Sequence, residues 1–121
     1  MGAYKVWLDD DGIIKGILLG DQDKESTENV ITEVNTLLSK ENCIGSVLID
    51  MSQTGRPSSE SRRLHANNIR SNPKNLRKLA LYGASTMNRV MANFIIKASG
   101  RVDMVRYFKT EKEAIEWLKE N

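Results

Sequence analysis

The chain of 121 residues has few of the side chains on which many reactive sites depend. It contains one cysteine, Cys43, and one histidine, His65. A single cysteine excludes a disulfide within the chain, so a reducing compartment is the simplest location and we predict a cytoplasmic protein. A single histidine excludes a metal cluster built from several histidines, and we predict neither a metal nor a cofactor. We expect His65 itself to be a surface residue in the middle of a helix.

Long apolar runs and glycine-rich phosphate loops are also missing from the sequence. No apolar stretch approaches the roughly 18 residues that a membrane-spanning helix needs, so we predict no membrane span. The spacing of glycines matches neither the dinucleotide-binding pattern nor the P-loop. These absences favour a non-enzymatic domain, and the length favours a single domain over residues 1–121.

Positive charge is scarce in the first half of the chain, and negative charge is scarce in the second half. Residues 1–60 carry eleven acidic and five basic side chains, whereas residues 61–121 carry thirteen basic and five acidic ones. Six basic residues and no acidic one lie between Arg62 and Lys78. Such a segment suits an acidic partner or a phosphate. It contains no aromatic side chain on which a base could stack, so we predict no nucleic-acid binding.

The periodicity of apolar residues predicts an α/β domain with the order β-β-α-β-α-β-α-β-α. Residues 4–8 and 13–19 flank an Asp-Gly turn and form an antiparallel hairpin. A helix over 27–41, a strand over 46–51, a loop over 52–57 and a polar helix from Ser58 or Ser59 to Ser71 follow. We expect this second helix to be the most exposed one. Strands at 78–82 and 104–108 alternate with helices capped by Ser85 and Thr110. The resulting sheet is mixed and five-stranded, with four helices.

The strand "KLALYG" and the closing segment "VRYFKTEKEAIEWLK" resemble the SpoIIAA-like branch of the STAS superfamily. That superfamily includes the antagonists of anti-sigma factors. The resemblance covers essentially the whole chain and is strongest after residue 77. It implies a STAS-like fold and a regulatory domain that works by docking a protein partner, without catalysis.

Signalling members of that family are phosphorylated on a serine at the start of the second helix. The matching position here is "PSSESRR", so the resemblance makes Ser58 and Ser59 the phosphoacceptor candidates. The aspartate and glycine of the family pattern, roughly Asp-Ser-(Ser/Thr)-Gly, are missing. We expect the loop after the third strand and the second helix to bind the partner, through Asp50, Arg62, Arg63 and His65.

Two alternatives come from other classes of protein. Asp9, Asp10, Asp50, Ser85 and Lys109 follow strands in the order that bacterial receiver domains use for phosphate transfer. A receiver needs a helix after its first strand, however, and this chain turns directly into a second strand.

The other alternative is an apolar small molecule or lipid held between the third helix and the sheet. Methionine adapts to irregular ligands, and the candidate residues are Met87, Met91, Phe94, Met104 and Trp117. In addition, Trp7 on the first strand suits either the core or a homodimer contact.

Overall fold

The computed structural model describes residues 2–71 and 73–120, and within them the chain forms six strands and four helices around one mixed sheet. The strands are β1 (Ala3–Leu8), β2 (Ile13–Gln22), β3 (Ser46–Asp50), β4 (Thr54–Pro57), β5 (Lys78–Tyr82) and β6 (Val105–Phe108). The helices are α1 (Lys24–Leu38), α2 (Ser59–Arg70), α3 (Thr86–Ser99) and α4 (Glu111–Leu118). The predicted class is confirmed, and so is the predicted order apart from one additional strand, β4.

The sheet runs β1-β2-β3-β5-β6, with β4 attached to β2 beyond the end of β3. The β1–β2 hairpin is antiparallel, with Leu8 opposite Ile14, and the other pairings are parallel. The prediction of five strands omitted β4, which lies in the segment interpreted as a loop. Gly55 and Pro57 hid it, because both residues are unusual inside strands.

Alternation along the strands gives the sheet two faces with separate cores. Ile13, Leu48 and Ala80 point to one face and pack against α4. Ile14, Val47 and Ile49 point to the other face, which α1, α2 and α3 cover. Residues 46–49 of β3 are buried, as expected for a strand covered on both sides.

The helix ends follow capping chemistry. Ser85 and Thr110 are the N-caps of α3 and α4, as predicted, and Ser58 is the N-cap of α2, where the prediction had left Ser58 and Ser59 open. Gly100 ends α3 with a positive φ of 72°. The predicted start of α1 at residue 27 was wrong: the helix begins at Lys24 with Asp23 as its N-cap, and Ser26 completes a capping box with Asp23. Ser26 is therefore the third residue of the helix, which starts three residues earlier than predicted.

Two predictions about exposure are also wrong. The second helix lies between α1 and α3 and buries Ser61, Ala66 and Ile69, so α2 is not the most exposed helix. On α3, by contrast, Met87 is 54%, Val90 64% and Phe94 67% exposed, although Met87 and Phe94 were candidates for a ligand site between this helix and the sheet. The buried side of α3 consists of Asn88, Ala92, Ile96 and Ser99.

Candidate functional site

The start of α2 holds the two phosphoacceptor candidates in different environments. Ser58 is half-buried, and its hydroxyl accepts the backbone N–H of Ser61 at 3.0 Å. Its own N–H donates to the carbonyl of Gln22 at 2.9 Å. Ser59 begins the helix and is exposed. The Ser58 hydroxyl therefore serves as a cap, while Ser59 is the more accessible of the two.

A groove of about 290 Å³ separates α2 from α3 and starts at Ser59. Along α2 it is lined by Arg62, Arg63, Ala66, Asn67 and Arg70, and along α3 by Phe94, Ile95 and Ala98. The guanidinium of Arg62 donates to the carbonyl of Pro57 at 3.0 Å, and that of Arg70 donates to the carbonyl of Ala98 at 2.5 Å. Within residues 2–71 and 73–120, none of the three arginines pairs with a carboxylate. The groove thus combines positive charge with an apolar wall.

The exposed apolar side chains of α3 continue this wall outward. Met87, Val90 and Phe94 lie three and four residues apart, so they form one stripe along the helix. Arg56 of β4 donates to the sulfur of Met87 at 3.2 Å, which places another cation at the start of the stripe. We call the groove and this stripe together the α2–α3 face.

A second concavity lies beneath the helices, between α1, α2, α3 and the sheet. It is a cavity of about 120 Å³ whose walls are largely apolar. The sheet contributes side chains such as Leu18, Val47 and Leu81, and α1 contributes Val30, Ile31 and Val34. The predicted apolar space between α3 and the sheet is therefore present, but it extends toward α1 and α2.

His65 lines this cavity and is only partly exposed, so it is not the simple surface residue that we predicted. Burial lowers the pKa of its imidazole from 6.5 to about 4, so the ring is neutral at pH 7. Among the described residues, no side chain or carbonyl forms a hydrogen bond with this ring. The spacing of Ser61, His65, Asn68 and Ile69 is helical and marks the inward side of α2. A search restricted to apolar residues misses this pattern because three of the four are polar.

Gln22 is the functional candidate that sequence reasoning missed entirely. It ends β2, lines the cavity and is only 3% exposed. Its amide nitrogen donates to the carbonyls of Leu19, Ala3 and Gly20 at 3.0, 3.2 and 3.2 Å. Carbonyl oxygens only accept hydrogen bonds, so the side-chain atom of Gln22 that contacts all three must be the amide nitrogen. The other atom is then Oε1, which is buried and receives no hydrogen bond within the part of the chain that the structure describes.

Of the five apolar candidates, Met91 lines the cavity, and the other four lie elsewhere. Met87 and Phe94 are on the outside of α3, and Met104 packs with Ile69 and Ile96 beside β6. Trp117 lies on the opposite face of the sheet, where its ring is 5.5 Å from that of Phe108. A shared ligand site for all five residues is therefore excluded by their positions.

Asp50 and the other strand-end carboxylates do not assemble either. Asp50 ends β3, accepts the N–H of Ser52 at 2.8 Å and is not part of the groove that holds Arg62 and Arg63. Asp9 lies at the other end of the sheet and holds the hairpin turn by accepting the N–H groups of Asp11 and Ile13. The antiparallel hairpin contradicts the receiver topology. Within residues 2–71 and 73–120, no three acidic, histidine or cysteine side chains cluster as metal ligands.

Comparison with solved structures shows that the chain has a SpoIIAA-like fold. SpoIIAA in its unphosphorylated form, described as an anti-sigma factor antagonist, aligns with a TM-score of 0.70 at 15% identity over 98% of this chain and 100% of that one. Phosphorylated SpoIIAA, a cell fate determinant of Bacillus, gives 0.66 at 16% identity over 97% and 100%. A SpoIIAA-like DUF3478 protein from Shewanella loihica PV-4 gives 0.66 at 14% identity over 97% and 93%.

Residues 6–121 match the family described as a domain of unknown function, DUF7793, and the chain belongs to that family. The comparison with curated proteins finds no match. No helix among residues 2–71 and 73–120 has the length and apolarity required to cross a bilayer.

Proposed function

We propose that this chain is a non-enzymatic, cytoplasmic regulatory module that binds a protein partner through its α2–α3 face. The observation that carries the proposal is the exposed stripe of Met87, Val90 and Phe94 next to a groove with three arginines. Exposed apolar side chains that form a contiguous patch are typical of protein interaction sites. The SpoIIAA-like fold supports the same proposal, since SpoIIAA is described as an anti-sigma factor antagonist.

The charge of the groove selects the kind of partner. Arg62, Arg63 and Arg70 supply positive charge, and their guanidinium groups suit carboxylates in a bidentate geometry. We therefore expect a partner segment that is acidic along one edge and apolar along the other. A helix of that composition would place its apolar side on Phe94 and its carboxylates beside α2.

Site-specific cross-linking in the native host tests this docking surface. With a photo-reactive amino acid in place of Phe94, we expect one dominant cross-linked protein. The same residue in place of Glu116, which is exposed on α4, should not capture it. Changing both Arg62 and Arg63 to glutamate should reduce the yield at least tenfold. Equal capture from positions 94 and 116 would contradict a docking site on the α2–α3 face.

We propose that phosphorylation of Ser59 regulates this docking. A phosphate adds nearly two negative charges, and Ser59 lines the groove one turn before Arg62 and Arg63. It would pair with these arginines and repel an acidic partner. SpoIIAA has been solved in both unphosphorylated and phosphorylated forms, which supports the comparison.

Incubation with the host's kinases tests this regulation through phosphate incorporation. We expect Ser59→Ala to abolish incorporation and Ser58→Ala to retain it, because the Ser58 hydroxyl is used as a helix cap. Loss of incorporation only in the Ser58 variant would identify Ser58 as the phosphorylated residue instead of Ser59. A lack of incorporation in the wild type would leave docking without a phosphate switch.

A homodimer through β1 is a second, independent proposal about assembly. This strand is at the edge of the sheet, and Trp7 on it is 41% exposed. Unpaired edge strands readily associate with a second copy. Sedimentation equilibrium should then show a dimer that Trp7→Lys converts to a monomer, and a wild type that stays monomeric would refute it.

A further inference from the structure

The cavity under α2 contains polar groups that the proposed docking function does not use. The proposed docking uses the outer α2–α3 face, whereas Gln22 and His65 line the space between the helices and the sheet. The buried Oε1 of Gln22 receives no hydrogen bond from any described residue. An unsatisfied buried acceptor costs roughly 1–3 kcal/mol, so a donor at this position would relieve a penalty that the folded protein otherwise carries.

We propose that this cavity binds a compact, uncharged molecule whose single hydroxyl group donates to Gln22 Oε1 and whose apolar body fills the rest of the space. A cavity of about 120 Å³ is slightly smaller than the roughly 150 Å³ that holds benzene in an engineered protein. The occupant is therefore about as large as benzene, a ring or short chain of roughly six or seven non-hydrogen atoms.

The chemistry of the walls excludes charged ligands. Among the described residues that line the cavity, none carries a carboxylate, an ammonium or a guanidinium group. His65 is the titratable group of the wall, and burial keeps its pKa near 4 and its ring neutral. A carboxylate ligand would thus be buried without a counter-charge, which is strongly unfavourable.

Two other polar side chains of the wall already have hydrogen-bond partners, whereas Gln22 Oε1 has none among the described residues. The hydroxyl of Ser61 is hydrogen-bonded to that of Thr27 at 2.5 Å. The amide nitrogen of Asn88 donates to the carbonyls of Gly55 and Thr54 at 3.0 and 3.3 Å. Beside Gln22, His65 offers a neutral ring without a partner in the described part of the chain. A single water would find few further partners on walls that are otherwise apolar.

Phenol and fluorobenzene are matched probes for this proposal, because they differ mainly in one hydroxyl donor. We would titrate each into methyl-labelled and ¹⁵N-labelled protein at pH 7 and follow the chemical shifts. We expect saturable shifts at Val30, Leu81 and Ile95, which line the cavity. Phenol should bind at least as tightly as fluorobenzene, although its hydroxyl must leave water. Without an acceptor, burying that hydroxyl would make phenol about tenfold weaker.

Two variants of α3 provide the control. Ala92 lines the cavity and is 2% exposed, so Ala92→Leu should fill part of the space and weaken phenol binding at least tenfold. Asn93→Leu places the same side chain on the exposed side of the same helix and should leave binding unchanged. The ranking of the two probes is measured on the wild type, so the test does not depend on the folding of either variant.

Three results would overturn the inference. Tighter binding of fluorobenzene than of phenol would remove the hydroxyl donor from the proposal. The absence of saturable shifts with either probe would remove the cavity as a binding site. Shifts that map to the α2–α3 face rather than to the cavity would place binding elsewhere. None of these results bears on partner docking, which the cross-linking experiment tests separately.

Discussion

His65 couples the stability of the protein to pH through its position on an apolar wall. Burial lowers the pKa of the folded-state imidazole from 6.5 to about 4. Between these two values the unfolded chain binds a proton that the folded chain does not. The free energy of unfolding should therefore be highest above pH 6.5 and should fall as the pH drops toward 4.

The first prediction isolates this effect with His65→Leu, which removes the titrating ring and keeps an apolar side chain of similar reach. Between pH 7 and pH 4.5 we expect the wild type to lose about 2 kcal/mol more than the variant. Urea unfolding followed by circular dichroism measures the difference. Asp9 and Asp23, whose pKa values are lowered by hydrogen bonds, destabilise both proteins equally on acidification. Equal losses in the two proteins would contradict a buried neutral His65.

The strand β4 shows how a short element is held in place by its neighbours. It pairs with β2 on one side, at Gly20 with Thr54 and at Gln22 with Pro57. Asn88 of α3 supports it from the helical layer by donating to the carbonyls of Thr54 and Gly55. The start of α2 follows directly, so these bonds also position Ser58 and Ser59.

The second prediction concerns that support. Asn88→Ala removes the amide group that donates to two carbonyls of β4 and should cost about 2 kcal/mol in the free energy of unfolding. Asn93→Ala on the exposed side of the same helix should change it by less than about 0.5 kcal/mol. Chemical unfolding of both variants provides the comparison. If Asn88→Ala is as stable as Asn93→Ala, Asn88 does not anchor β4.

At the scale of the whole molecule, the sheet separates a closely packed core from one that contains a cavity. Trp117 is 6% exposed and packs with Leu118 and Ala114 against Leu48 and Ala80. On the opposite face, the outer side of α3 leaves Phe94 67% exposed. Two aromatic side chains of similar size thus contribute very differently to folding.

The third prediction follows from this difference. Trp117→Ala should lower the free energy of unfolding by about 3–5 kcal/mol, the usual cost of a buried aromatic side chain. Phe94→Ala should change it by about 0.5 kcal/mol or less but should abolish partner capture. Thermal and urea unfolding measure the first quantity, and cross-linking from Val90 measures the second. Comparable destabilisation by both variants would mean that Phe94 belongs to the core.

The architecture could be predicted because each helix end and the hairpin have local chemical causes. Ser58, Ser85, Gly100 and Thr110 mark helix ends by hydrogen bonding or backbone conformation, which depend on a few neighbouring residues. The candidate site could be predicted only in part, because exposure depends on how helices pack around the sheet. The apolar Phe94 faces outward and the polar His65 faces inward, the reverse of what their types suggest. The unpaired oxygen of Gln22 depends in part on the bond from its amide nitrogen to Ala3 of β1, a contact between distant residues that has no local sequence signal.

The two-faced sheet also determines what intrinsic fluorescence can report. Trp117 packs beneath α4, and Trp7 alternates with Val6 and Leu8, which face α1, so both indole rings lie on the side away from the cavity and the groove. Their emission will follow the loss of the folded state. It will not change when a small molecule binds under α2 or a partner binds on α3. A tryptophan introduced at position 94 would provide a fluorescence signal for partner binding.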